Sequence, residues 1–167
     1  RDPRMARAVK DHWVVGVDPG GRETGLVLVA GRDVIERDVV VRVGALDLPD
    51  ATYLNSVLDR ILELQCAAPE DPLIAVEGLV APNAHMGITA VIPLIGTGMV
   101  FGAVIAVFPQ AVVVRPGGHG SRFITAYPEE LRPKTGAGKG KDRLRHCRSA
   151  YDIALAGRLA AKLRRAA

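Results

Sequence analysis

Trp13-Val14-Val15-Gly16-Val17 is a short apolar run that halts at Asp18-Pro19-Gly20-Gly21, the pattern of a strand buried on both faces and closed by a turn. Gly25 to Ala30 repeats the apolar run, and the turn Gly31-Arg32-Asp33 leads into a third strand over Val34 to Val43. The chain therefore opens as an antiparallel meander. Leu46-Asp47-Leu48-Pro49-Asp50 starts a helix reaching to about Cys66, with Leu54, Val57, Leu58, Ile61, Leu62 and Gln65 at helical spacing. Leu73-Ile74-Ala75-Val76-Glu77 is a further buried strand, and it ends on a carboxylate.

From Gly78 to Val114 there is no Asp, Glu, Lys or Arg. Met86 to Phe108 is long enough to raise a membrane-spanning reading. Pro93, Gly87, Gly96, Gly98 and Gly102 interrupt it, and its N-terminal side has no cationic flank. The expectation is a buried helix, broken or kinked near Pro93, packed closely through Gly98-x-x-x-Gly102, offering a dimer surface and no membrane contact. Ala111 to Arg115 is the last strand. Residues 116–142, rich in Gly, Pro and Lys, form a long loop without enough apolar periodicity for a packed element. Arg143 to Arg165 reads as a closing helix, which gives the order β-β-β-α-β-α-β-α.

A chain of 167 residues buries roughly 70% of its unfolded surface, enough for one core, so residues 13–167 are read as a single domain. Residues 1–12, polar and of mixed charge, are read as a disordered segment or a foreign remnant ahead of it. Cys66 and Cys147 are too few for a disulfide scaffold and lack zinc-ligand spacing, which suggests a reducing, cytoplasmic setting.

The formal net charge of +4 divides unevenly. Residues 132–167 carry 11 Lys and Arg against Asp142 and Asp152, a net +9, and the rest of the chain is at −5. A basic segment on an acidic domain is either the footprint of a polyanion such as nucleic acid or a solvated helix face.

Three acids stand where a bland explanation is costly. Asp18 ends the first strand, although before Pro-Gly it also suits an ordinary turn. Glu77 follows Leu-Ile-Ala-Val directly, and Asp152 lies between Tyr151 and Ile153, so both sit in apolar surroundings that disfavour an unpartnered charge. Strands one and four can be neighbours in the sheet, their ends bringing two acids together and a helix adding a third. Carboxylates so close are tolerated around a hard divalent cation, and two such ions about 4 Å apart can activate water and stabilise a leaving phosphodiester oxygen.

Val15-Gly16-Val17-Asp18-Pro19-Gly20 with Thr24-Gly25, then Ile74-Ala75-Val76-Glu77, then Ser149-Ala150-Tyr151-Asp152-Ile153-Ala154, resembles the RuvC family of Holliday junction resolvases. The resemblance spans residues 13–160. It implies a ribonuclease H-like α/β fold, a mixed five-stranded sheet with helices on both faces, and a homodimeric endonuclease that nicks two strands of a four-way DNA junction symmetrically, leaving 5′-phosphates. It also implies two Mg²⁺ per site, with Mn²⁺ as a substitute, held by Asp18, Glu77 and Asp152. The family's fourth ligand falls on Ser149. In an alternative register Ser149 occupies the place of the last acid and His146 becomes the ligand three residues earlier; Asp142 is a weaker candidate. His146 is either a catalytic group at the metal-bound water or scissile phosphate, or an exposed helix residue.

The family's wedge aromatic corresponds to Val80, so junction distortion would fall to Phe123 or Tyr127. Thr135-Gly136-Ala137-Gly138-Lys139-Gly140-Lys141 resembles the family's Thr-Gly-x-Gly segment. It lacks the flanking strand and Lys-Ser/Thr of a phosphate-binding P-loop, and is either a DNA-binding segment or a solvated loop. The expected DNA-binding residues are His119, Arg122, Lys134, Lys139, Lys141, Arg143 and Arg145. Two other functions compete: an ATP-binding domain of the actin and sugar-kinase type, on Asp18-x-Gly20 with Gly25, and a catalytically silent DNA-binding relative that has lost the fourth acid.

Overall fold

The computed structural model describes residues 13–44, 47–80, 88–133 and 142–166. Its strands are β1 (Trp13–Asp18), β2 (Glu23–Ala30), β3 (Asp33–Val41), β4 (Leu73–Glu77) and β5 (Val112–Val114). Its helices are α1 (Ala51–Ala67), α2 (Ile88–Val107) and α3 (Leu144–Ala166). The element order is the expected one. The five strands form one sheet in the order β3-β2-β1-β4-β5. Neighbours in the β1-β2-β3 meander are antiparallel, whereas β4 lies parallel to both β1 and β5.

Because successive strand residues point to opposite faces, the sheet feeds two cores. Val15, Val17, Leu26, Leu28, Ile74 and Val76 pack against Tyr53, Val57, Ile61 and Leu64 of α1 and Val100 and Val104 of α2. Val14, Val27, Val29, Ala75 and Val114 pack against Ala150, Ile153 and Ala154 of α3. The α3 backbone lies directly on the sheet because Gly16 and Gly25 have no side chain. A Cβ would stand 2.0 Å from the Ala150 carbonyl oxygen at Gly16 and 2.3 Å from that of His146 at Gly25.

Several boundaries and environments depart from expectation. Helix α1 starts at Ala51, not Leu46, because Asp50 caps it: its Oδ1 accepts from the Tyr53 amide at 2.8 Å. Helix α2 runs through Pro93, which lies in its second turn and so forfeits a backbone bond only near the start. The helix is not buried throughout. Val100 and Val104 reach the core, while Val91, Ile92, Ile95 and Val107 stand 43–47% exposed, because the sheet can cover only one side. Gly98 and Gly102 make no close helix contact, and the tight approach is instead between Gly96 and Gly21. Among the described residues, no helix is long and apolar enough to cross a membrane.

The long loop is more ordered than its composition suggests. Two short 3₁₀ turns, Ile124–Ala126 and Glu129–Leu131, present Tyr127 and Leu131 to the α3 core, where both are fully buried. Lys134, Lys139 and Lys141, with the Thr135–Lys141 segment, lie outside the described residues.

Candidate active site and nucleic-acid interface

Val17 pairs with Val76 across the parallel β1–β4 ladder, so Asp18 and Glu77 leave the sheet side by side at its carboxyl end. That edge is where open α/β sheets place their ligands. The turn after Asp18 is braced from α1: the Tyr53 hydroxyl donates to the Gly20 carbonyl at 2.7 Å and lies 2.8 Å from Thr24 Oγ1. Burial pushes the Tyr53 hydroxyl up to about 12, against the opposing pull of its Thr24 hydrogen bond. Nothing in the sequence marked Tyr53, since it falls in an ordinary amphipathic helix.

His146 is the residue that α3 delivers to Asp18. Its Nδ1 is 2.8 Å from Asp18 Oδ2, and its Nε2 is 3.2 Å from Glu23 Oε2 and accepts from Arg145 Nε at 3.1 Å. In the neutral ring Nδ1–H donates to Asp18 and Nε2 accepts from Arg145; in the imidazolium both nitrogens donate, to Asp18 and Glu23. Gly25 makes this possible, because it pairs with Asp18 on the sheet and lies under the His146 backbone.

Glu77 and Asp152 are both engaged by the loop after β5. Glu77 Oε1 lies 2.7 Å from His119 Nδ1 and accepts from the Gly117 amide at 3.3 Å. Asp152 Oδ2 accepts from the Tyr127 hydroxyl at 2.8 Å and the Gly120 amide at 2.9 Å, and Oδ1 is paired with Arg122. The Arg122 guanidinium also lies 4.5 Å from the Tyr127 ring centre. Burial disfavours the Arg122 charge, but the hydrogen bond and charge of Asp152 outweigh it and raise its pKa. Tyr127 is raised too, by burial first and then by the same carboxylate. Ser149 is buried, with Gly120 packed over its backbone.

The expected residues are thus distributed as follows. Asp18 and Glu77 share one edge with His146, whereas Asp152 faces the loop through Arg122, Tyr127 and Gly120. Among the described residues, no group of three or more His, Cys, Asp or Glu is placed to hold a metal ion. The donor chemistry of Asp18 and Glu77, two hard oxygen ligands at adjacent strand ends, fits a divalent cation. Asp152, the third expected ligand, is turned to the loop, with Arg122 on Oδ1 and Tyr127 and Gly120 on Oδ2.

Of the residues expected to meet DNA, Arg143 is exposed, and Arg145 has a 68% exposed side chain; both lie at the amino end of α3, where the helix dipole favours an anion. His119 and Arg122 turn inward to Glu77 and Asp152. The +9 segment is partly structural. Arg148 is buried against Asp142, Arg132 donates to the Tyr127 and Thr125 carbonyls, and Arg158 donates to that of Gly31. Of the two aromatics considered as a wedge, Tyr127 is buried and Phe123 is 87% exposed.

Thermus thermophilus RuvC in complex with Holliday junction substrate superimposes with a TM-score of 0.57 at 21% identity, over 90% of this chain and 95% of that one. A second Thermus thermophilus RuvC structure gives 0.53 at 21%, over 90% and 96%. The fold is RuvC-like. No family model matches the sequence, and neither does any curated protein. A RuvC-like fold at this identity is a divergent one, and the likeness covers 90% of the chain.

Proposed function

We propose that residues 13–167 form a structure-selective DNA endonuclease that cuts four-way junctions by paired symmetric nicks as a homodimer. The observation that carries this reading is the placement of Asp18 and Glu77 at the ends of adjacent parallel strands within a RuvC-like fold. Asp18 and Glu77 would hold Mg²⁺ or in its place Mn²⁺, with His146 orienting the Asp18 carboxylate. When bound, such ions activate a water and stabilise the leaving oxygen of a phosphodiester.

The chain's own groups prepare that edge. Asp18 fixes the proton of the neutral His146 ring on Nδ1 and so orients the imidazole, whose Nε2 accepts from Arg145. Arg143 and Arg145, together with Lys134, Lys139 and Lys141, bind backbone phosphates. The Asp152–Arg122–Tyr127 cluster holds the loop that presents His119 to Glu77, so Asp152 and His119 act as positioning residues. Phe123 is the group available to enter an opened junction. The exposed apolar side of α2 supports the homodimer, since a second copy would cover Val91 and Ile95.

The test is a mobile four-way junction, compared with forks and duplex, in Mg²⁺. Wild type is expected to give paired nicks, and Asp18→Asn to bind the junction and cut nothing; full cleavage by Asp18→Asn would overturn the reading. Ser149 at the fourth-acid position, with Asp152 held by Arg122, favours one second reading, a silent junction-binding relative. Tight binding by wild type with no cleavage in either metal would establish it.

A further inference from the structure

Beside the Asp18–His146 pair lies a half-open cleft of about 880 Å³, within the range of small-molecule sites. Gly20 and Gly21 are among its lining residues. Its lining includes the cations Arg22, Arg42 and Arg145 and the apolar residues Val41, Ile92 and Pro93.

Arg22 and Arg42 are an unusual pair. Glu23 and Val41 are the last partners in the β2–β3 ladder, and the Arg42 amide donates to the Arg22 carbonyl at 2.9 Å, which sets the two arginines opposite each other one step further out. Like charges directly opposite on antiparallel strands repel. Among the described residues no ion pair engages either guanidinium, and Arg42 Nη1 is buried with no hydrogen-bond partner. A buried charged donor left unsatisfied is costly, and an anion between the two arginines would relieve both penalties. Glu23 is turned to Arg145 and His146 and pairs with neither arginine, and Asp47 stands at the cleft lining as an opposing charge.

We propose that this cleft binds the nucleotide flanking the cut: Arg22 and Arg42 clamp its phosphate, and the Val41, Ile92 and Pro93 wall takes its sugar and base. The inference rests on the endonuclease reading and adds the residues that position the strand relative to Asp18. Arginine suits this role, because its planar fork meets two phosphate oxygens at once.

The experiment measures junction binding by fluorescence anisotropy in Ca²⁺ over a salt series, for wild type, Arg22→Gln, Arg42→Gln and Asp47→Asn. Each arginine variant is expected to weaken binding about tenfold and to reduce the salt slope by about one; Asp47→Asn is expected to tighten it. A junction with uncharged methylphosphonates scanned through the branch nucleotides adds a local readout. One position should weaken wild type and cost Arg42→Gln nothing further. Arg22 is exposed, so its variant carries the test even if Arg42→Gln fails to fold. Wild-type binding with unchanged affinity and slope in the variants overturns the cleft alone, whereas a wild type that binds no junction overturns the functional reading and the cleft with it.

Discussion

Replacing Asp152 by Asn separates two roles that its position in α3 allows. As a positioning residue, the carboxylate accepts from the buried Tyr127 hydroxyl and the Gly120 amide. Hydrogen bonds to a charged acceptor contribute about 1.5–3 kcal/mol each. The pairing with Arg122, whose side chain is 43% exposed, adds less than about 1 kcal/mol once solvent screening is counted. An asparagine keeps one acceptor and turns two donors toward a cluster that already consists of donors, so the loss should come to about 3–4 kcal/mol. For a domain of this size that lowers Tm by about 10 °C. Calorimetry or circular dichroism in EDTA reads this without any metal. If Asp152 were instead one of several repelling carboxylates awaiting a cation, neutralising it would leave Tm unchanged or raise it in EDTA. An Asp152→Asn protein melting at or above the wild-type temperature there would refute the positioning argument.

Gly16→Ala should destabilise by about 3 kcal/mol or more or prevent folding, because its methyl would overlap the Ala150 carbonyl; native yield and urea unfolding measure this. Cys66 is exposed and Cys147 is buried, with its thiol pushed up to about 11 by burial, so a thiol reagent at a pH of about 8 should modify one cysteine quickly and the second only on unfolding. The Tyr53 hydroxyl, raised from 10.0 to about 12, remains protonated in the folded chain while the unfolded chain ionises. Its contribution to stability is complete below pH 10 and is lost as pH rises from 10 toward 12. Tyr53→Phe should flatten that part of the stability curve while lowering stability at neutral pH through its lost hydrogen bonds.

How much was legible in the sequence follows from which interactions are local. The run Val14 to Val17 ending on Asp18, and Ile74 to Val76 ending on Glu77, carry their burial and their termination within a few residues, so the order of amino acids alone locates both strands and both acids. Asp152 is different. Its neighbours in α3 are apolar on most sides, and the groups that claim its oxygens come from Gly120 to Tyr127, 25–32 residues away in a loop with no periodicity. Helix α2 is the opposite case. Its uniform apolarity reads as complete burial, yet among its described side chains and glycines only Gly96, Val100 and Val104 are buried. The Arg22–Arg42 pair was invisible because it depends on strand register, and a shift of one residue would have separated the two side chains.

The contact between Gly21 and Gly96 couples distant parts of the molecule. It joins two backbones with no side chain between them: a Cβ on Gly21 would lie 2.9 Å from the Gly96 Cα. Flexible side chains can absorb a displacement by changing rotamer, and here there are none to do so. A displacement of α2 at Gly96 therefore bears directly on the backbone of the turn after Asp18, and that turn also carries Gly20, held by the Tyr53 hydroxyl. Under the proposed endonuclease reading, the lateral position of the Asp18 edge would follow whatever seats on α2, and the spacing between two such edges in a homodimer would be a property of that helix rather than of the loops.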